Sequence, residues 1–477
     1  MAIQDPDVEI ISLHERQSPA GYSGGLSHRV NHSTLRESAG AATEPPGQHD
    51  VLDETQRWDL PRVNILRVFA TFWCFLLLGA NDSLYGAIIP YLETYYNIAY
   101  IKVSLLFISP VSGFIVSTLC NHSIHSHFGQ RGIALIAGSC HVVAYIVASL
   151  HPPFPALVVV YILVGLGSGA KQAAWNSFIS GLCNSSELLG LLPGFYGTGA
   201  TIAPALTTFA VTRRGWSWYM IYYILAGMAG LDMVFSLSVF ATQNGHAYRE
   251  RIADTNSQPS VNAQPLPAIS ARQPAANFLT RSRTFQCLRN HVVLLCSIHL
   301  LSYVGCEVAL GGWIVTFMRR IRHGGDFQSG MVSSGLWAGI TVGRMVLGFV
   351  TGRVFKSPKW AVMFYLSAAV AMHLCFWLIP NFMASAIFAA FLGFFLGPIF
   401  PCVILCLSNL LPSRMRVSAV GICSAVGASG ASIIPFMVGA IAQAKGVAVL
   451  QPIVLAFLIL CFIIWCFVPN SPKGLWK

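Results

Sequence analysis

The chain has 477 residues, 55% of them apolar and only 10% charged, with a formal net charge of +11. Soluble globular chains carry about 25% charged residues, so an ordinary water-soluble domain is excluded. The basic excess lies beside apolar stretches and in a central linker, so it calls for a lipid bilayer and for no nucleic-acid partner.

From the N-terminus, residues 1–60 are rich in Ser, His, Gly, Pro and Glu without periodicity. That composition predicts a disordered tail, and it has no short apolar core with a small-residue cleavage site of the kind a signal peptide needs. Counting windows long enough to cross about 30 Å of hydrocarbon gives about twelve spans. They start near Asn64, Lys102, Gly132, Pro155, Leu188, Trp218, His291, Gln328, Trp360, Met383, Val417 and Val447. A Ser/Pro/Gln-rich stretch interrupts them, so the expected domains are a six-helix half over 61–241, a flexible linker over 242–288, a second six-helix half over 289–469 and a short tail over 470–477. The fold class expected is an all-α membrane protein with twelve transmembrane helices in two pseudo-symmetric six-helix bundles.

One segment occurs twice. Thr198-Gly-Ala-Thr-Ile-Ala-Pro204 returns as Ser429-Gly-Ala-Ser-Ile-Ile-Pro435, with glycine, alanine, isoleucine and proline in register and the hydroxyl residues exchanged as Thr and Ser. Small residues let membrane helices approach closely, and neighbouring helices satisfy the backbone groups that proline frees. Parallel repeats with a site between the halves are a pattern of secondary transporters. Gly165/Gly169 and Gly393/Gly397 are further small-residue pairs that predict close helix packing.

Charges inside the spans are few: Asp82, Lys171, Asp232, Glu307 and Arg344. A charge at the centre of a membrane helix costs about 2.5–3.5 kcal/mol on insertion scales, so such groups face a cavity or a partner. Aligning Gly86 with Gly311 sets Asp82 opposite Glu307, which places a carboxylate at equivalent points of the two halves. Lys171 lies roughly 10 Å deeper than Asp82 by helical rise, so a direct bridge needs a long reach and a link through water or substrate is as reasonable. The other reading of these charges is a set of buried pairs that only neutralise one another. Asp232, on the sixth span, is expected to snorkel or pack. No cofactor or metal is expected, because His122, His125 and His127 have no second ligand cluster at metal spacing. The thirteen cysteines lie in or beside the spans and read as buried thiols.

Family resemblance adds detail. The six-plus-six spans, the central loop and the matched fifth and eleventh helices resemble the major facilitator superfamily over Pro61 to Pro469. The connection Ser126-His-Phe-Gly-Gln-Arg131 is similar to that family's loop between the second and third helices, and Gly348-Phe-Val-Thr-Gly-Arg353 stands at the equivalent place. Both lack the motif's aspartate, with Ser126 and Gly352 in its place. Asn81-Asp-Ser-Leu-Tyr-Gly-Ala-Ile-Ile-Pro-Tyr-Leu, Gly169-Ala-Lys-Gln-Ala-Ala-Trp-Asn176, Gly305-Cys-Glu-Val-Ala-Leu-Gly-Gly-Trp313 and Gly343-Arg344 look like fungal proteins related to the fucose, galactose and glucose proton symporters.

The resemblance implies that the first, fourth, seventh and tenth helices line a central cavity. Asp82, Lys171, Glu307 and Arg344 are then candidates for ion coupling or substrate binding. Trp175 and Asn176, with Trp313 and Tyr303, could offer stacking faces and an amide to a polar ring, although packing is the usual role of aromatics in membrane helices. The function expected is a secondary active transporter of a small organic solute, sugar-like or a secondary metabolite, coupled to a proton at Asp82 and Glu307. The alternative is a membrane sensor that binds ligand without flux. Catalysis is not expected, since neither a nucleotide-binding loop nor a nucleophile–base constellation is present. Basic flanks favour both termini on the cytoplasmic side, in a monomer of the plasma membrane.

Overall fold

The computed structural model describes residues 57–183, 185–247, 249 and 287–470. Most of the N-terminal tail, Asn184, most of the linker and residues 471–477 lie outside the described residues, and so do the expectations placed on them. Within the described residues the chain is helical, without strands. The long helices are α1 (Val63–Tyr96), α2 (Tyr100–Asn121), α3 (Ser123–Ser149), α4 (Phe154–Ser180), α5 (Ser185–Arg214) and α6 (Trp218–Val239). They continue with α7 (His291–Arg320), α8 (Asp326–Val354), α9 (Pro358–Leu378), α10 (Phe382–Leu410), α11 (Ser413–Lys445) and α12 (Val447–Phe467).

Among the described residues, eleven of these are long and apolar enough to cross a bilayer. Helix α5 has the length, at 30 residues, but its Gly, Thr and Pro content lowers its mean hydropathy below the other eleven. The count from composition therefore overstates what hydropathy alone supports by the helix that carries the first copy of the repeat.

Local chemistry fixes the helix ends. Asn290 and Asn381 cap α7 and α10 by accepting hydrogen bonds from backbone N–H groups of the first turn. Asn97 closes α1 in the left-handed conformation that Asn tolerates, with its N–H returned to the Glu93 carbonyl. Within α3 the helical path turns at Gly129, whose φ of 67° and ψ of −163° favour glycine. The segment just after α6 packs on this turn: Arg249 donates to the Ser126 carbonyl at 2.7 Å, and the Arg131 N–H donates to the Gln243 carbonyl at 3.1 Å.

Packing repeats along the chain. Helix α1 packs on α5 as α7 packs on α11, and α3 packs on α6 as α9 packs on α12. The duplicated glycines do the same work in each copy. A Cβ at Gly199 would sit 1.9 Å from the Leu76 carbonyl oxygen of α1, and one at Gly430 would sit 2.0 Å from the Leu301 carbonyl oxygen of α7. Gly165 meets the backbone of Pro110 in α2, and Gly393 meets that of Leu336 in α8, so the small-residue pairs pack helices rather than line a site. Gly199→Val and Gly430→Val should therefore lower the yield and thermal stability of purified protein to a similar degree. Gly227→Ala and Gly230→Ala, which meet no atom within 4 Å, should leave both unchanged. A tolerated Gly430→Val would show that the repeat has no packing role.

Four helices form the centre. The apolar windows of α1 and α7 are each 67% buried, α4 61% and α10 56%, against 33% for α6 and 39% for α12. These are the four helices that the resemblance placed around a cavity.

Candidate functional site

The two parts of the chain meet closely toward the face where α1 ends at Tyr96 and α7 ends at Arg320. A Cβ on Gly86 would lie 2.0 Å from the Gly311 carbonyl oxygen. These are the two residues that align between the halves, so the equivalent points of α1 and α7 touch each other. Phe107 of α2 packs on Gly312 and on Trp313 at 6.2 Å between ring centroids, and Ser104 lies against Gly439 of α11. On the other flank, Thr208 of α5 lies against Gly330 of α8, and the Arg213 guanidinium sits 5.3 Å from the Phe327 ring centroid. Helices α1–α7, α2–α11 and α5–α8 thus form a seal at this face.

Asp82 and Glu307 each lie one helical turn beneath that seal, four residues before Gly86 and Gly311. Their equivalence, expected from alignment, is matched by their place in the packing. Their partners differ. The Tyr196 hydroxyl of α5 donates to Asp82 Oδ2 at 2.8 Å, and Asn81 Nδ2 donates to Asp82 Oδ1 at 3.0 Å and to the Tyr85 hydroxyl at 2.8 Å. Glu307 instead accepts from Arg344 Nη2 at 2.7 Å, and its side chain is only 6% exposed. Asp82 is hydrogen-bonded by neutral groups, whereas Glu307 has a cation.

Lys171 is not brought to Asp82. Its ammonium forms a salt bridge with Asp232 of α6, and both side chains are fully buried. His141 Nδ1 of α3 lies 3.5 Å from the ammonium, and His141 Nε2 lies 3.2 Å from the Ser168 hydroxyl. Asp232 therefore does not snorkel. The reason is direction: Lys171 points from α4 into the packing of α3 and α6, where Gly167 gives room to the His141 ring.

The aromatic candidates are packed. Trp175 is fully buried and stacked on Phe240 at 4.6 Å and 16°. Trp313 is fully buried within the seal and donates its indole N–H to the Pro435 carbonyl at 2.9 Å, at the second copy's proline. Tyr303 is also buried, with its hydroxyl donating to the Leu396 carbonyl at 2.9 Å. Asn176 is exposed and its amide returns to the Gln172 carbonyl of its own helix. His299 and His373 each bond a backbone carbonyl of α12. The residues that sequence reasoning did not single out are Tyr196, two positions before the repeat, and Asn81; neither carries a charge that would mark it inside a span.

Comparison with known proteins gives this arrangement a family. A family model described as Major Facilitator Superfamily matches residues 71–435. Bypass of stop codon protein 6 of Saccharomyces cerevisiae is 29% identical over 393 residues, covering 80% of this chain and 78% of that protein. The glucose/mannose transporter GlcP of Bacillus subtilis is 22% identical over 369 residues, covering 76% of this chain and 85% of that one. A solved D-xylose-proton symporter shares the fold with a TM-score of 0.64 at 14% identity, covering 86% of this chain and 99% of that one.

Proposed function

The chain belongs to the Major Facilitator Superfamily, and from that premise we propose that it is a secondary active transporter carrying a small, sugar-like organic solute by alternating access, with a proton bound at Asp82. In this reading the helices form two six-helix halves, α1–α6 and α7–α12, that rock about the central site, with both ends of the chain on the cytoplasmic side. The recurring pairings α1–α5 with α7–α11 and α3–α6 with α9–α12 support the two halves. The similarity to a glucose/mannose transporter of Bacillus subtilis supports the solute class.

The observation that carries the coupling is the difference between the two equivalent carboxylates. Sealing a cavity over an ionised carboxylate is costly unless the charge is paired or neutralised. Glu307 is already paired with Arg344. Among the described residues Asp82 has only hydroxyl and amide partners, so a proton is what lets the site close around it, and the proton then travels with the solute.

The test is Asp82→Asn in sealed vesicles. This change keeps shape and polarity, so solute exchange at equal concentrations should continue while pH-driven accumulation is lost. Glu307→Gln should behave differently, because it strands the Arg344 guanidinium and should lower folded yield as well as flux. Full proton-driven accumulation by Asp82→Asn would remove Asp82 from the coupling role.

A further inference from the structure

Outside the seal, a polar cavity of about 340 Å³ lies between the ends of α1, α2, α7 and α11. Glu93, Thr94, Asn97, Tyr100, Arg320 and Gln443 line it. Glu93 stands seven residues beyond Gly86, roughly 10 Å along the helix, so this cavity is separate from the central carboxylates. Glu93 is only 8% exposed, and its Oε1 has no hydrogen-bond partner among the described residues. Its Oε2 is 3.8 Å from Arg320 Nη2, an ion pair too long for a good hydrogen bond. A buried acceptor left unsatisfied is costly, so the cavity lacks a donor at this point.

We propose that this cavity binds a neutral, sugar-sized polyol whose hydroxyl donates to Glu93. The charge count favours a neutral ligand: Glu93 faces Arg320, while the neighbouring Arg319 is engaged by Asp326 at 2.8 Å. The size sits at the lower end of small-molecule sites, about 300–1,000 Å³. Asn97, Gln443 and Thr94 offer donors and acceptors. Tyr100 adds a ring held in place by an edge-on contact with Trp313 at 5.8 Å. Because α1 and α2 supply one wall and α7 and α11 the other, a bound polyol bridges the seal and stabilises the sealed state. This proposal takes its solute class from the transport reading above, and its test separates the two.

Ala99→Cys in the full chain, at a lining position whose side chain offers the ligand no hydrogen bond, with the exposed Cys120 and Cys466 replaced by Ser, reports the cavity through its rate of maleimide labelling; Ile98→Cys serves as a second reporter. Saturating D-glucose, D-mannose or D-galactose should slow labelling several-fold at both positions, and Glu93→Ala should remove the protection at either. Glucosamine and glucuronate should protect less than the neutral sugars. Transport of the hexoses without any protection would overturn the site, as would stronger protection by a charged sugar, or protection that survives Glu93→Ala. Protection without transport would uphold the site and reject the sugar-transport reading instead.

Discussion

Lys171→Met should be among the most damaging single substitutions in the chain, costing about 3–5 kcal/mol, because it leaves the Asp232 carboxylate buried and unpaired. Asp232→Leu should cost a similar amount by stranding the ammonium, which among the described residues is left with His141 at 3.5 Å as its hydrogen-bond neighbour. The informative variant is the double one. Replacing both members of a buried ion pair by apolar groups is often neutral or stabilising, so Lys171→Met with Asp232→Leu should recover most of the lost stability. Thermal unfolding of purified protein measures this directly, and a double mutant as unstable as the sum of the singles would refute it. Flux then separates the two roles these charges can have. If the double mutant is stable and still transports, the pair only neutralises charge between α3, α4 and α6. If it is stable and inactive, the pair takes part in the cycle even though it lies away from Asp82.

Depth was legible in the sequence and direction was not. Counting along spans placed Asp82 and Glu307 at equivalent levels, and the contact of Gly86 with Gly311 agrees with that register. The duplicated Gly-Ala segment likewise pointed to close packing, which Gly199 and Gly430 provide against α1 and α7. Which way a side chain points around a membrane helix is harder to read. A helix with protein on one side and lipid on the other is apolar all round, so periodicity carries little information about its buried face. Lys171 consequently found Asp232, and Trp175 and Trp313 turned into packed cores. Tyr196 was invisible for the converse reason: a tyrosine in a span is ordinary, and only its 2.8 Å bond to Asp82 gives it a role. Helix α5 shows the limit of hydropathy, since the glycines and prolines that make it an interface helix also make it less apolar.

Gly86→Val should block the seal itself. The added Cβ would stand 2.0 Å from the Gly311 carbonyl oxygen and 3.1 Å from the Gly312 Cα, and backbone atoms cannot rotate away. Helices α1 and α7 would have to separate at the point where the halves touch. Overpacking of this kind costs about 1–3 kcal/mol, which shifts an equilibrium between sealed and open states by roughly five- to 150-fold. The reverse position meets a side chain rather than backbone: a Cβ on Gly311 would lie 2.8 Å from the ring of Trp337. Gly311→Ala should therefore retain more flux than Gly86→Ala, although the two glycines are equivalent in the repeat. Spin labels at the exposed Tyr95 and Ile321 report the opening, with the exposed Cys120 and Cys466 first replaced. Gly86→Val should lengthen their separation and abolish accumulation of solute while the folded yield stays measurable, because the strain falls on one of two conformations rather than on the fold. Unchanged distances together with unchanged flux would mean that the α1–α7 contact does not seal this face.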